Sequence, residues 1–215
     1  MGRCTMEEVR RSVKDLEKHF ADQLECRDRL LKESRDVITS SSRAIISVHH
    51  GKMKDAGKEL SEARALLGSL KKSGRGPISR YLISPETEYV EASAVLALAQ
   101  GKAIPSRDAL GASPEAYLLG LLDTVGELKR LVLDSIMSNK MAKAKGYFAV
   151  MEDLYSILSP MAVYDHVVNG TRRKIDVSRM LVEDTRGLIT EEIRRESVNS
   201  SLARLQKRLE RATHR

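Results

Sequence analysis

Tryptophan is absent from this 215-residue chain, and its other aromatics are six tyrosines and two phenylalanines. So few rings, with five prolines and 13 glycines, argue against a sandwich or barrel. They favour helices rich in Leu, Ala, Arg, Lys and Glu. The two cysteines, Cys4 and Cys26, are too few for a disulfide framework or a zinc site. The longest uncharged apolar runs fall well short of a membrane span. The opening Met1-Gly2-Arg3-Cys4 has no apolar signal region, so a cytoplasmic location with no membrane contact is expected. Hydrophobic residues at 41% suffice for a sizeable core and exclude wholesale disorder.

Charge is plentiful and uneven. The formal net charge is +7, and residues 171–215 hold 12 Lys and Arg against 7 Asp and Glu, leaving only +2 for the rest. The loop Lys71-Lys72-Ser73-Gly74-Arg75-Gly76 is purely basic. Exposed charge usually only solvates, but basic clusters also suit a polyanion.

Periodicity predicts one all-α domain over residues 1–215, with about seven helices. The first covers 5–48, with Thr5 and Glu8 as a capping box. Val9, Val13, Leu16, Phe20, Leu24, Leu30 and Leu31 recur along it at helical spacing, and Val37, Ile38, Ile45 and Ile46 follow. His49-His50-Gly51 ends it, and a second helix runs over 52–71 to a breaker at 73–77. Three prolines follow serine, at Ser84-Pro85, Ser113-Pro114 and Ser159-Pro160. Serine as N-cap with proline at the first helical position is a start signal, because proline has no N–H to leave unpaired. Helices are therefore expected from about 85 to Gly101, from 114 to Ser138-Asn139, over 140–158, and from 160 to about 195 with a break near Asn169-Gly170. A basic helix over about 198–212 closes the chain.

Two of these helices carry carboxylates at telling positions. After Ser113, apolar side chains cover most of the circumference, and Asp123 and Glu127 share a narrow polar strip with Arg130. After Ser84, Glu88 and Glu91 project to one side, which continues as Ala92, Val95 and Ala99. These acids stand at the edge of a core face, where a carboxylate is costly unless paired or metal-bound. If the helices pack side by side, four carboxylates converge, and an oxygen-only cluster suits Mg²⁺ or Mn²⁺. The plainer reading is structural: a first-turn acid such as Glu86 serves the helix dipole, and Asp123 and Glu127 pair with Arg130 or a lysine. Neither helix has the Glu-x-x-His pairs of a di-iron bundle. The Gly-Lys pairs at 51–52 and 101–102 lack the rest of a phosphate loop.

The stretch Glu88-Tyr89-Val90-Glu91-Ala92, followed by Tyr117-Leu118-Leu119-Gly120-Leu121-Leu122-Asp123-Thr124-Val125-Gly126-Glu127-Leu128-Lys129-Arg130, resembles the translin superfamily. Within it, the Trax (translin-associated factor X) branch is the most similar. The run Lys32-Glu33-Ser34-Arg35-Asp36-Val37-Ile38-Thr39, with Ser42-Arg43 and His49 after it, is similar to the first helix of that branch. The resemblance covers roughly residues 20–195. It implies an α-superhelical subunit of seven helices that assembles into a closed, hollow hexamer or octamer. The Trax branch further implies a metal-dependent endoribonuclease acting on RNA, single-stranded or short duplex, inside that shell. The start is shorter than in eukaryotic Trax and lacks a basic extension, which points to a prokaryotic or archaeal, self-assembling member. A translin-like partner subunit is the other arrangement the resemblance allows.

Carried over residue by residue, the catalytic and metal-holding carboxylates of that branch fall on Glu88, Glu91, Asp123 and Glu127, all acidic here. On this reading one or two Mg²⁺, or Mn²⁺, activate a water that attacks the phosphodiester. Arg35 and Arg43 are expected to grip RNA phosphates, and Lys129 or Arg130 to stabilise the leaving oxygen. The scarcity of aromatics argues against base-stacking platforms. The competing expectation is a non-catalytic, single-stranded nucleic-acid-binding shell of translin type.

Overall fold

The computed structural model describes residues 2–74 and 76–213, and every regular element among them is helical. Two compact units divide the chain, Met1–Leu121 and Leu122–Arg215.

The first unit begins with two long helices, α1 (Gly2–His49) and α2 (Met53–Ser73). A three-residue turn joins them, and Gly51 at its centre has φ 73°, a left-handed conformation that glycine adopts without a Cβ penalty. Such a short link makes the helices antiparallel neighbours. A seven-residue 3₁₀ segment, Gly76–Leu82, leads into α3 (Ile83–Ala99). Leu30 and Val37 of α1, Ala63, Leu67 and Leu70 of α2, Leu82, and Tyr89 of α3 form one buried cluster. Ala44 and Ile45 of α1 pack against Ala92 of α3 in another.

Helix α3 is buried on nearly every side, and Gly101 (φ 70°) closes it as expected. A one-turn helix, α4 (Arg107–Leu110), follows, with Ser106 Oγ accepting from the Ala109 N–H at 3.2 Å. Helix α5 (Pro114–Met137) then starts where Ser113-Pro114 predicted, and the Ala116 N–H donates to Ser113 Oγ at 3.4 Å. Its first turns lie hard against α3. A Cβ on Gly120 would stand 2.7 Å from both the Thr87 carbonyl oxygen and Val90 Cβ, so only glycine permits this approach.

The second unit holds the rest of α5, then α6 (Met141–Leu158), a 3₁₀ segment at Ser159–Tyr164, and α7 (Thr171–Thr213). Val125, Leu128 and Val132 of α5, Met151 of α6, and Thr171 and Thr185 of α7 are fully buried. Arg186 of α7 clasps Glu152 of α6 at 2.6 Å.

Several boundaries differ from expectation. Helix α1 starts at Gly2, so Thr5 lies within it, and its side chain is outside the described residues, as is Arg75. Helix α3 starts at Ile83, one residue before Ser84, so that serine is not its cap. Pro160 lies at the start of a six-residue 3₁₀ turn rather than a long α-helix, and Gly170 at φ 87° breaks the chain before α7. No glycine or proline interrupts residues 195–198, so the basic end is the last stretch of α7 and not a separate helix.

Candidate functional site

The predicted site residues fall on both units. Glu88 and Glu91 lie one helical turn apart on α3 in the first unit, separated by Tyr89, which packs into the core cluster. Glu91 is 9% exposed, and Glu88 is half-buried. Ala92, directly after Glu91, touches Ala44 and Ile45 of α1, and Arg43 directly precedes those two residues. Arg35 and Arg43 are both exposed on α1, as residues that grip phosphates must be.

The acid at the start of α3 has a structural task. Glu86, only 5% exposed, forms an ion pair with Lys71 at 3.0 Å and accepts the Ser113 N–H at 2.7 Å. Lys71 also donates to the Gly111 carbonyl at 2.5 Å. These contacts tie the end of α2, the start of α3 and the turn into α5 together. Lys71, expected as part of a polyanion-binding loop, is occupied here inside the protein. Sequence spacing hid the pair, since its members are distant in the chain and Glu86 alone reads as a dipole residue.

Asp123, Glu127, Lys129 and Arg130 all belong to the α5 portion of the second unit. Lys174 of α7 donates a hydrogen bond to Asp123 Oδ1. Arg130 sits one turn from Glu127 and donates to both its carboxylate oxygens at 3.2 Å. Lys129 reaches Asp184 of α7 at 3.4 Å. Asp123 and Lys174 open onto a cavity of about 400 Å³ between α5 and α7, which Arg173 and Ser178 also line. Within neither unit, among the described residues, do three or more His, Cys, Asp or Glu side chains group to hold a metal ion. Lys174 and Arg173 were not foreseen as site residues. Their only signal was the basic run Arg172-Arg173-Lys174.

The first unit also holds an aromatic-basic cluster. Arg80 Nη2 donates to Tyr81 Oη at 3.1 Å, and the Arg27 and Arg80 guanidiniums lie 5.5 and 5.0 Å from the Tyr81 ring centre. The Arg80 hydrogen bond, with a second from Arg27, holds the Tyr81 phenol below its ordinary range.

Comparison with known proteins gives consistent findings. The Translin family profile matches residues 58–184. An uncharacterized protein of Methanocaldococcus jannaschii is 34% identical over 191 residues, 87% of this chain and 86% of that protein. The crystal structure of AfC3PO superposes with a TM-score of 0.71 at 30% identity, over 87% of this chain and 96% of that one. A structure of AfC3PO in complex with duplex RNA gives a TM-score of 0.70 at 28% identity, over 87% and 95% of the two chains. Apo-NeC3PO, at 23% identity and a TM-score of 0.72 over 83% and 95%, shares the fold. Among the described residues, no helix is long and apolar enough to cross a membrane.

Proposed function

The chain belongs to the Translin family, and from that premise we propose that it binds RNA and cleaves it as a Trax-type, Mg²⁺- or Mn²⁺-dependent endoribonuclease within a homo-oligomer. The observation that carries RNA binding is the likeness, over most of both chains, to a structure solved with duplex RNA. The exposed α1 arginines and the basic excess of the chain supply the phosphate contacts this requires.

The carboxylates suit a hard divalent cation in their chemistry. Glu88 and Glu91 offer oxygen donors one helical turn apart, and Mg²⁺ is commonly held by one or two carboxylates, with waters and substrate phosphates completing its shell. Asp123 and Glu127 balance Lys174 and Arg130, so their entry into a metal site means exchanging those cations. Bound at these acids, Mg²⁺ would lower the pKa of the attacking water and stabilise charge on the phosphate oxygens.

This chain's own residues do the rest. Arg35 and Arg43 hold RNA phosphates and set the strand's position. Glu91, nearly buried on α3, offers its carboxylate to the metal. Arg130 is exposed, and the guanidinium has five N–H donors, so it can serve Glu127 and the leaving oxygen together. Lys129, the residue before it on α5, is the alternative cation for that oxygen.

The ion pairs on Asp123 and Glu127 favour a second reading, a non-catalytic RNA-binding assembly of translin type. Labelled single-stranded and short duplex RNA incubated with the pure protein, with and without Mg²⁺, separates the two. The expected result is binding that weakens steeply as salt rises, with cleavage only in the presence of metal. Binding without cleavage selects the second reading, and the absence of both overturns the proposal.

A further inference from the structure

The cavity beside Asp123 lies wholly within the second unit. Its α7 wall comes from Arg173, Lys174, Val177, Ser178 and Leu181, which share one helical face. Leu122, Asp123 and Gly126 of α5 stand across from them. A volume of about 400 Å³ is that of a small-molecule site.

Gly126 keeps this space open. Glycine in a helix interior weakens the helix, so it calls for a reason. Gly120 has one, the close contact of α3 with α5. At Gly126 the nearest atom to an added Cβ is a Leu181 methyl at 3.9 Å, so packing does not demand glycine there. Any longer side chain at that position would occupy the cavity.

The polar groups on the wall select the occupant. Two cations and one carboxylate line it, an excess of one positive charge that suits a single anionic group. The Lys174 ammonium has three N–H donors and spends one on Asp123. Arg173 is exposed and forms no ion pair among the described residues. Its planar fork matches the oxygens of a phosphate. Ser178 Oγ donates to the Lys174 carbonyl at 2.8 Å. That hydroxyl keeps only acceptor capacity, which suits a sugar hydroxyl and not a phosphate oxygen. Leu122, Val177 and Leu181 add apolar surface for a ring.

We propose that this cavity binds one nucleotide, with its phosphate on Arg173 and Lys174 and its sugar and base against Ser178 and the apolar wall. The nucleotide is either a unit of an RNA strand or a free mononucleotide. Only the first source rests on the RNA binding named under the proposed function.

Calorimetric titration of the metal-free protein in chelator, with 5′-AMP and with inorganic phosphate, tests the site. 5′-AMP should saturate with a dissociation constant below about 1 mM. Phosphate should bind about tenfold more weakly or worse, because it leaves the apolar wall uncovered. Arg173→Ala should weaken 5′-AMP binding about tenfold. Gly126→Leu should weaken it similarly while keeping the circular dichroism of the wild type. Arg194→Ala, which removes a charge on α7 that pairs with Glu191 outside the cavity, should leave binding within about twofold. A short single-stranded RNA identifies the source: displacement of 5′-AMP assigns the cavity to the RNA strand, and independent binding assigns it to free nucleotides. No saturation by millimolar 5′-AMP, phosphate binding as tight as 5′-AMP, or an Arg173→Ala protein that binds like wild type would each overturn the proposal. Cleavage of RNA in Mg²⁺ is read separately, so the loss of this site and the loss of the ribonuclease are distinct results.

Discussion

Lys174 of α7 donates its ammonium directly to the Asp123 carboxylate of α5, so one of the four acids proposed for the metal already carries a cation from the chain. Both side chains are about one-third exposed, which screens the pair and holds its worth near ~1 kcal/mol. Asp123→Ala and Lys174→Ala should each cost about that much in urea unfolding, and the double variant should cost little more than either. Strictly additive losses would show that the pair contributes nothing.

The same contact predicts a competition. If Asp123 also serves the metal, Lys174→Met should enlarge the rise in melting temperature that Mn²⁺ produces, because the metal no longer displaces an ammonium. A smaller or unchanged response would take Asp123 out of the metal set and leave Glu88 and Glu91 as the remaining acids of the site.

Glycine at two positions of α5 should behave oppositely on replacement. A Cβ at Gly120 would meet the Thr87 backbone oxygen and Val90 Cβ at 2.7 Å, so Gly120→Ala should overpack and cost about 1–3 kcal/mol. At Gly126 the nearest atom is a Leu181 methyl at 3.9 Å. Gly126→Ala should therefore gain roughly 0.5–1 kcal/mol from helix propensity. Thermal melts of both variants check the pair of signs, and a stabilised Gly120→Ala would refute the close approach of α3 and α5.

Helix placement was largely legible in the sequence, because capping and breaking are local. Ser113-Pro114, Gly51, Gly101 and the Asn169-Gly170 break all act where periodicity and turn chemistry predict. The misses were also local in cause. The helix at 107–110 is a single turn, too short for periodicity to show, although Ser106 and Gly111 mark its ends, and Pro160 starts a 3₁₀ turn as easily as an α-helix. The stripe from Val9 to Phe20 shows correct helical spacing, yet spacing alone does not say whether a stripe faces this chain's core or another subunit. The partners of the acids were hidden for a different reason: Lys174 lies 51 residues from Asp123, and only the fold brings them together.

The guanidiniums around Tyr81 predict a pH effect. Arg80 first, and Arg27 with it, lower the phenol's pKa from its ordinary 10.0. A depressed pKa stabilises the folded protein above the unfolded value, and that increment fades as pH falls through the folded one. Arg80→Ala should thus cost more stability at about pH 10.5 than at neutral pH, and near-ultraviolet titration should show one tyrosine returning toward ordinary behaviour. An unchanged titration curve would exclude the cluster.

The account's central claim is that the acids cut RNA without being what holds it. The most direct measurement is single-turnover cleavage of a labelled RNA by wild type and Glu91→Ala in Mg²⁺, with the affinity of each for the same RNA measured in chelator. The variant should lose cleavage by about a thousandfold or more, while its affinity stays within about threefold of wild type. A folded, assembled Glu91→Ala protein that cuts at the wild-type rate would contradict the account.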